Sequence, residues 1–305
     1  VFKPEAVTTA GGLYSVWSDA YRDIREIKQF LELQKQYSNF NEEQNIIWEA
    51  QARFFRAFVY FQLAKRHDGV ILYTDLNFSH DMPRSSNKDT WDLISNDLDF
   101  AAEHLPEVWN ADNKGRVTKG AAYAMKSRAM LYAERWQAAY DSANKVIELG
   151  LYDLDDTYSS SRKGDNKESI LEFNYSLLGP SHRFDQYYVS LADGYQFGSL
   201  GTPTQEMVES YEKTDGTKID WSQWRSSSTI RPPWEDLEPR FQATVIYQGS
   251  KWKDKTMDCS VGGVNGEFMP YREQPYSHGK TTTGYFLKKL LDESLIDVVG
   301  TASTQ

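Results

Sequence analysis

The residues best suited to chemistry in this chain are aromatic. Four of its nine tryptophans, Trp221, Trp224, Trp234 and Trp252, fall within 32 residues, and Tyr271 and Tyr276 follow. Asn265, Glu267, Arg272 and Gln274 are interleaved with them. Sugars present C–H faces ringed by hydroxyls, so a binder needs flat apolar rings with planar polar groups at the rim. This segment supplies both. Pro232, Pro233, Pro270 and Pro275 stiffen the loops, lowering the ordering cost of binding, and Gly262-Gly263 permits a tight backbone turn. The spacing predicts an aromatic platform from two or three of the six rings, with Trp252 and Tyr271 foremost. Trp221, Trp224, Trp234 and Tyr276 supply further ring area, and Asn265 and Arg272 are polar contacts. The competing reading of each ring is a loop-stapling side chain.

Covalent chemistry finds little support. No G-x-S-x-G, H-E-x-x-H, P-loop or post-strand G-x-G-x-x-G is present. His67, His80, His104, His182 and His278 are scattered, so no metal or cofactor is expected. Asp112, Asn113 and Gly115 lack the spaced acids of an EF-hand and read as a solvated turn. Cys259, the lone cysteine, excludes an internal disulfide and, beside Asp258, reads as a small contact residue rather than a nucleophile. A net charge of −10 without a basic stripe makes nucleic acid a poor partner. Among 44 acidic residues a pair of carboxylates can always be proposed, so a glycoside hydrolase on a helical scaffold stays the rival reading. A repeat scaffold binding peptide or protein is the third.

Helices must position these groups. Trp17, Tyr21, Ile24, Ile27, Phe30 and Leu31 recur at helical steps within 14–33, and Trp48, Ala52, Phe55, Val59 and Leu63 do so within 45–65. A third helix starts from an Asp89 or Thr90 cap, carries Trp91, Ile94, Leu98 and Ala102, and ends near Pro106. Thr118 caps a fourth with Ala121, Met125 and Tyr132. A joint at 133–135 leads to a fifth with Trp136, Ala139, Tyr140 and Ile147, stopped by Gly150. The last two resemble a tetratricopeptide helix-turn-helix unit of about 33 residues, which needs stacked neighbours. Trp17, Trp48, Trp91 and Trp136 are expected in the core. From about residue 152 short strands are expected at 169–175 and 241–247, a short helix at 204–211, a turn at Asp215-Gly216 and mostly loop over 249–284.

Six collinear segments resemble the SusD/RagB family of Bacteroidetes outer-membrane proteins. They are Glu49-Ala50-Gln51-Ala52-Arg53-Phe54-Phe55-Arg56-Ala57 through Gly69, Gly115-Arg116-Val117-Thr118-Lys119-Gly120-Ala121 through Trp136, Glu168-Ser169-Ile170-Leu171-Glu172, Pro203-Thr204-Gln205-Glu206-Met207 through Gly216, Glu238-Pro239-Arg240-Phe241, and Gly284-Tyr285-Phe286-Leu287-Lys288-Lys289. The resemblance implies a mostly α, tetratricopeptide-like superhelix (1–151) with an irregular ligand-binding lobe containing short strands (152–305). It implies non-catalytic capture of an oligo- or polysaccharide at the cell surface and delivery to a SusC-like TonB-dependent transporter; some members take peptides. Membrane association would come through a lipid anchor. No counterpart of the family's lipidated cysteine or of its later helices is seen, so the chain is expected to be truncated at both ends relative to the family.

Overall fold

A computed structural model describes residues 15–73, 76, 81–158, 164, 166–175, 181–193, 198–225, 232–267 and 279–295, with the backbone alone at 7–8 and 11–12. The chain divides into two compact units, residues 2–155 with 165–172, and residues 156–164 with 173–305. Beside the expected division at 151/152, the segment 165–172 goes with the helical unit, where Ile170 packs on its core.

The first unit holds a two-residue antiparallel ribbon, β1 (Val7–Thr8) and β2 (Gly11–Gly12), and five helices. These are α1 (Trp17–Tyr37), α2 (Glu42–His67), α3 (Asn87–His104), α4 (Lys119–Tyr132) and α5 (Trp136–Glu148). Each packs chiefly on its neighbours in sequence, as stacked hairpins do. The core forms from α2 outward. Ala50, Phe54, Ala57, Tyr60, Phe61 and Ala64 recur at three- and four-residue steps, and the alanines let neighbouring helices approach. A reciprocal cap starts α2, with Gln44 N donating to Asn41 Oδ1 at 2.8 Å and Asn41 N donating to Gln44 Oε1 at 3.2 Å. Lys65, Arg66 and His67 complement the dipole at its other end.

The starting cap of α3 is Ser86, whose Oγ accepts from Asp89 N at 3.0 Å, and not Asp89 or Thr90. Thr90 is buried instead, donating to the Ser86 carbonyl and accepting from Val70 N. Thr118 caps α4 as expected. Arg56 explains part of the second helix's family-like segment: its Nε and Nη2 each reach the buried Asp97 carboxylate on α3 at 2.7 Å. The exit from α2 is pinned by tyrosines. Tyr21 Oη donates to the Ile71 carbonyl and accepts from Ile71 N, and Tyr60 Oη accepts from Tyr73 N at 3.0 Å. Burial pushes the Tyr60 phenol up to about 12.

Of the four tryptophans expected in this core, Trp91 is buried and Trp17 and Trp48 are half-buried. Trp136 is 63% exposed, which corrects the expectation. It shares an outward stripe of α5 with Tyr140 and Ile147, while Ala139 and Ser142 face α4. Amphipathic spacing identifies a face but does not supply a partner for it.

The second unit is built from short pieces. Its helices are α6 (Phe184–Tyr188), α7 (Gln205–Glu209), α8 (Ser222–Arg225) and α9 (Pro239–Thr244). Its strands are β3 (Val245–Ile246), β4 (Lys251–Trp252), β5 (Lys255–Thr256) and β6 (Phe286–Leu287), with β3 antiparallel to β6 and β4 to β5. The strand expected over 241–247 is a helix up to Thr244, because Pro239 at the first helical position pre-sets φ and Phe241 turns into the core. No strand forms at 169–175. The loop expected over 249–284 contains the β4–β5 hairpin. Two of the family-like segments meet here: Tyr285 Oη donates to Gln205 Oε1 at 2.8 Å.

Candidate functional site

Three of the six rings offered as platform candidates, all tryptophans, are covered. Trp252, on β4, is 1% exposed among Ile246, Met257, Cys259 and Phe286. Its Nε1 donates to Asp193, 3.0 Å from each carboxylate oxygen, and Lys253 Nζ reaches the same carboxylate at 2.6 Å. Trp221 and Trp234 are buried with Val208, Leu237, Phe241, Tyr247 and Tyr285. An indole enclosed in this way has no face to offer a sugar, which corrects the expectation of an exposed platform at these positions. Trp224 is half-buried, edge-on to Trp221 at 5.9 Å. Tyr271, Arg272 and Tyr276 lie outside the described residues.

Asn265 has a different fate. It lines a cavity of about 510 Å³ within the second unit. Leu191, Ala192 and Asp193 form one wall, in a 3-10 turn that follows α6. Lys255 and Thr256 of β5 form another, and Asp258, Val264 and Asn265 close it from the next loop. The loop is held to the hairpin by Met257 N donating to the Ser250 carbonyl and folded on itself by Asn265 N donating to the Asp258 carbonyl at 2.9 Å. Gly263 passes so close to the Asp258 carboxylate that a Cβ would lie 2.5 Å from it. The hairpin turns at Lys253, a non-glycine residue at φ +52°.

These restraints fix what the wall presents. Asn265 Oδ1 accepts from Ala192 N at 3.0 Å, which sets the orientation of the carboxamide and leaves Nδ2 as its remaining donor. Asp258 Oδ1 accepts from Ser260 Oγ at 2.5 Å, Ser260 N at 3.3 Å and Gln248 Nε2 at 3.2 Å. The hydrogen bonds from Ser260 hold this carboxyl below the usual carboxylate range, so it is an ionised acceptor at neutral pH. Thr256 Oγ1 accepts from Lys251 Nζ, and Lys255 Nζ donates to the Ala192 carbonyl. A fixed amide donor, an ionised acceptor and a hydroxyl beside apolar Leu191 and Val264 suit a polyol with hydrocarbon faces.

The same groups are poorly placed for bond cleavage. A glycosidase acid needs a raised pKa, and that of Asp258 is lowered. The Asp193 carboxylate is occupied by Trp252, Lys253 and Ser190, whose N and Oγ donate at 3.2 and 3.1 Å; it acts as a strut. Burial pushes the Cys259 thiol up to about 12, far from a thiolate nucleophile at neutral pH. Sequence reasoning missed Asp193, Lys255, Thr256 and Asp258 as cavity residues. The available signal was the alternation Lys251-Trp252-Lys253 before Asp254, a strand entering a turn, but that turn lacks the Asn-Gly or Asp-Gly pair that marks most hairpins.

Comparison with known proteins agrees over nearly the whole chain. A SusD-like profile described as starch-binding associating with outer membrane matches residues 4–131, and the SusD family profile matches residues 158–305. A SusD-like protein from Bacteroides fragilis is 30% identical, with a TM-score of 0.75 over 91% of this chain and 57% of that one. A SusD-like carbohydrate-binding protein from the same species is 25% identical, with a TM-score of 0.78 over 94% of this chain and 56% of that one. The curated SusD-like protein P25 of Formosa agariphila is 23% identical over 165 residues, 53% of this chain and 30% of its own length. The match thus spans under a third of that relative and somewhat over half of the two solved chains. The collinear segments, the stacked helical hairpins and the two profiles converge: the chain belongs to the SusD/RagB family.

Proposed function

We propose that this chain captures a glycan reversibly, without cleaving it, at the outer face of an outer membrane. A lipid anchor holds it there, and it hands the ligand to a SusC-like TonB-dependent transporter. Family membership supports the ligand class and the compartment. The observation that carries the reading is the fixed Asn265 carboxamide beside ionised Asp258 in a cavity that can admit a sugar residue. In this reading Asn265, Asp258 and Thr256 bond hydroxyls, Leu191 and Val264 contact C–H faces, and Trp224, Tyr271, Arg272 and Tyr276 are further candidate contacts. Trp221, Trp234 and Trp252 support the lobe from within.

Native affinity electrophoresis with neutral polysaccharides tests the capture step. Retardation is expected in at least one gel, with Asn265→Ala weakening it about tenfold, the effect of losing one good hydrogen bond to a ligand. No new reducing ends should form on prolonged incubation. Turnover abolished by a single carboxylate substitution would replace this reading with hydrolysis. Co-purification with a TonB-dependent barrel from solubilised outer membranes tests delivery.

A further inference from the structure

A row of aromatic side chains ends on Tyr188 of α6, three residues before the cavity's first wall. Phe173 meets Tyr175 at a ring-centroid distance of 5.0 Å, Tyr175 meets His182 at 4.6 Å, and His182 meets Phe184 at 6.4 Å, each edge to face. Phe184 then stacks on Tyr188 at 4.4 Å. An edge-to-face contact covers one face of only one partner, so such a row keeps ring area in the open. Phe173 is 68% exposed and Tyr187 of α6 is 45% exposed, while Tyr175, His182 and Phe184 are half-buried. Asn174 and Arg183, both exposed, belong to the same stretch. Ring area mixed with an amide and a guanidinium matches a sugar's C–H faces and hydroxyls better than it matches a lipid or a wholly apolar protein surface.

The backbone ties this row to the cavity. Tyr188 ends α6, and the cavity residue Leu191 follows three residues later, within about 11 Å of extended backbone. The connection is fixed: Val189 N donates to the Asp185 carbonyl at 2.9 Å, Ser199 N to the Val189 carbonyl at 2.8 Å, and Leu191 N to the Gly279 carbonyl at 2.6 Å.

We propose that the row and the cavity are successive contacts for one oligosaccharide, an inference that rests on the carbohydrate reading above. The rings hold the chain with little regard to hydroxyl pattern, and the cavity reads the hydroxyls of one sugar unit. The preferred ligand is therefore an oligosaccharide long enough to reach both, because two linked weak contacts multiply where either alone is marginal.

Isothermal titration with size-fractionated gluco-, xylo- and manno-oligosaccharides, from disaccharide to octasaccharide, tests this. In the series that binds, affinity should rise about tenfold or more with length. The double substitution Phe173→Ala/Tyr187→Ala should flatten that rise and leave disaccharide binding unchanged, whereas Asn265→Ala should weaken every length. Both replaced rings are exposed, and an unchanged thermal midpoint shows that the fold is intact. A full length dependence in the double variant, or none in the wild type, overturns the inference and leaves the carbohydrate reading standing. Failure of the wild type to bind any series removes that reading itself.

Discussion

The two units of this chain depend on their large side chains to different degrees. In the helical unit the core is chiefly small and aliphatic, with ten alanines beside Leu, Ile, Val, Met and Phe; Trp91 and Tyr60 are buried in it, and Trp136 is left outside. Among the described residues of the second unit no helix exceeds six residues and no strand exceeds two, so regular backbone bonding holds little of them together. There the buried tryptophans become the frame. Where secondary structure is scarce, a buried indole supplies a large apolar area, and at Trp252 a directed N–H donor as well. Three of the rings that looked available for a ligand, Trp221, Trp234 and Trp252, are thus ones the lobe needs for itself.

The sharpest way to break this contrast is Trp252→Ala. Losing a fully buried ring should cost about 3–5 kcal/mol in chemical denaturation. Trp252→Phe keeps most of the packing but removes the donor to Asp193, and should cost about 1–3 kcal/mol. If Trp252→Ala instead leaves stability unchanged and removes only glycan retention, Trp252 is a contact and not a frame. In the helical unit the corresponding anchor is ionic: Asp97→Ala leaves the Arg56 guanidinium buried without its partner and should cost about 3–5 kcal/mol.

Alkali probes the helical unit more gently. The Tyr60 phenol titrates near 10 in the unfolded chain and near 12 in the folded one, so the unfolded chain releases its proton first. Its contribution is complete below pH 10 and is lost as pH rises toward 12, amounting to about 2–3 kcal/mol at most. Tyr60→Phe should remove that slope from urea midpoints measured across this range. At the small end, Trp136→Ala should shift stability by no more than about 0.5 kcal/mol, because most of that ring already lies in water.

The helices were legible for a simple reason. Their apolar residues repeat over many turns, and caps such as Thr118 bond as their residue types suggest. The cap of α3 was displaced to Ser86 because three neighbouring residues, Ser86, Asp89 and Thr90, can all cap, and tertiary burial claimed Thr90. In the second unit a two-residue strand carries no period to detect. Polar neighbours do not expose Trp252: Lys251 turns outward on the short strand, while Lys253, at the turn, joins the buried indole on the Asp193 carboxylate. Asn265 was legible as a polar group in a glycine-rich loop, but Asp193 was not, since 72 residues separate the two in sequence before Ala192 N meets Asn265 Oδ1.

The strut formed by Trp252, Lys253 and Asp193 divides responsibilities within the lobe. One side of the cavity owes its shape to bonds that no ligand needs to touch, while Thr256, Asp258 and Asn265 present their groups from the other side. In the proposed reading, Thr256 is the position where a replacement would retune sugar preference with least disturbance, because Asn265 and Asp258 also bond other parts of the cavity wall.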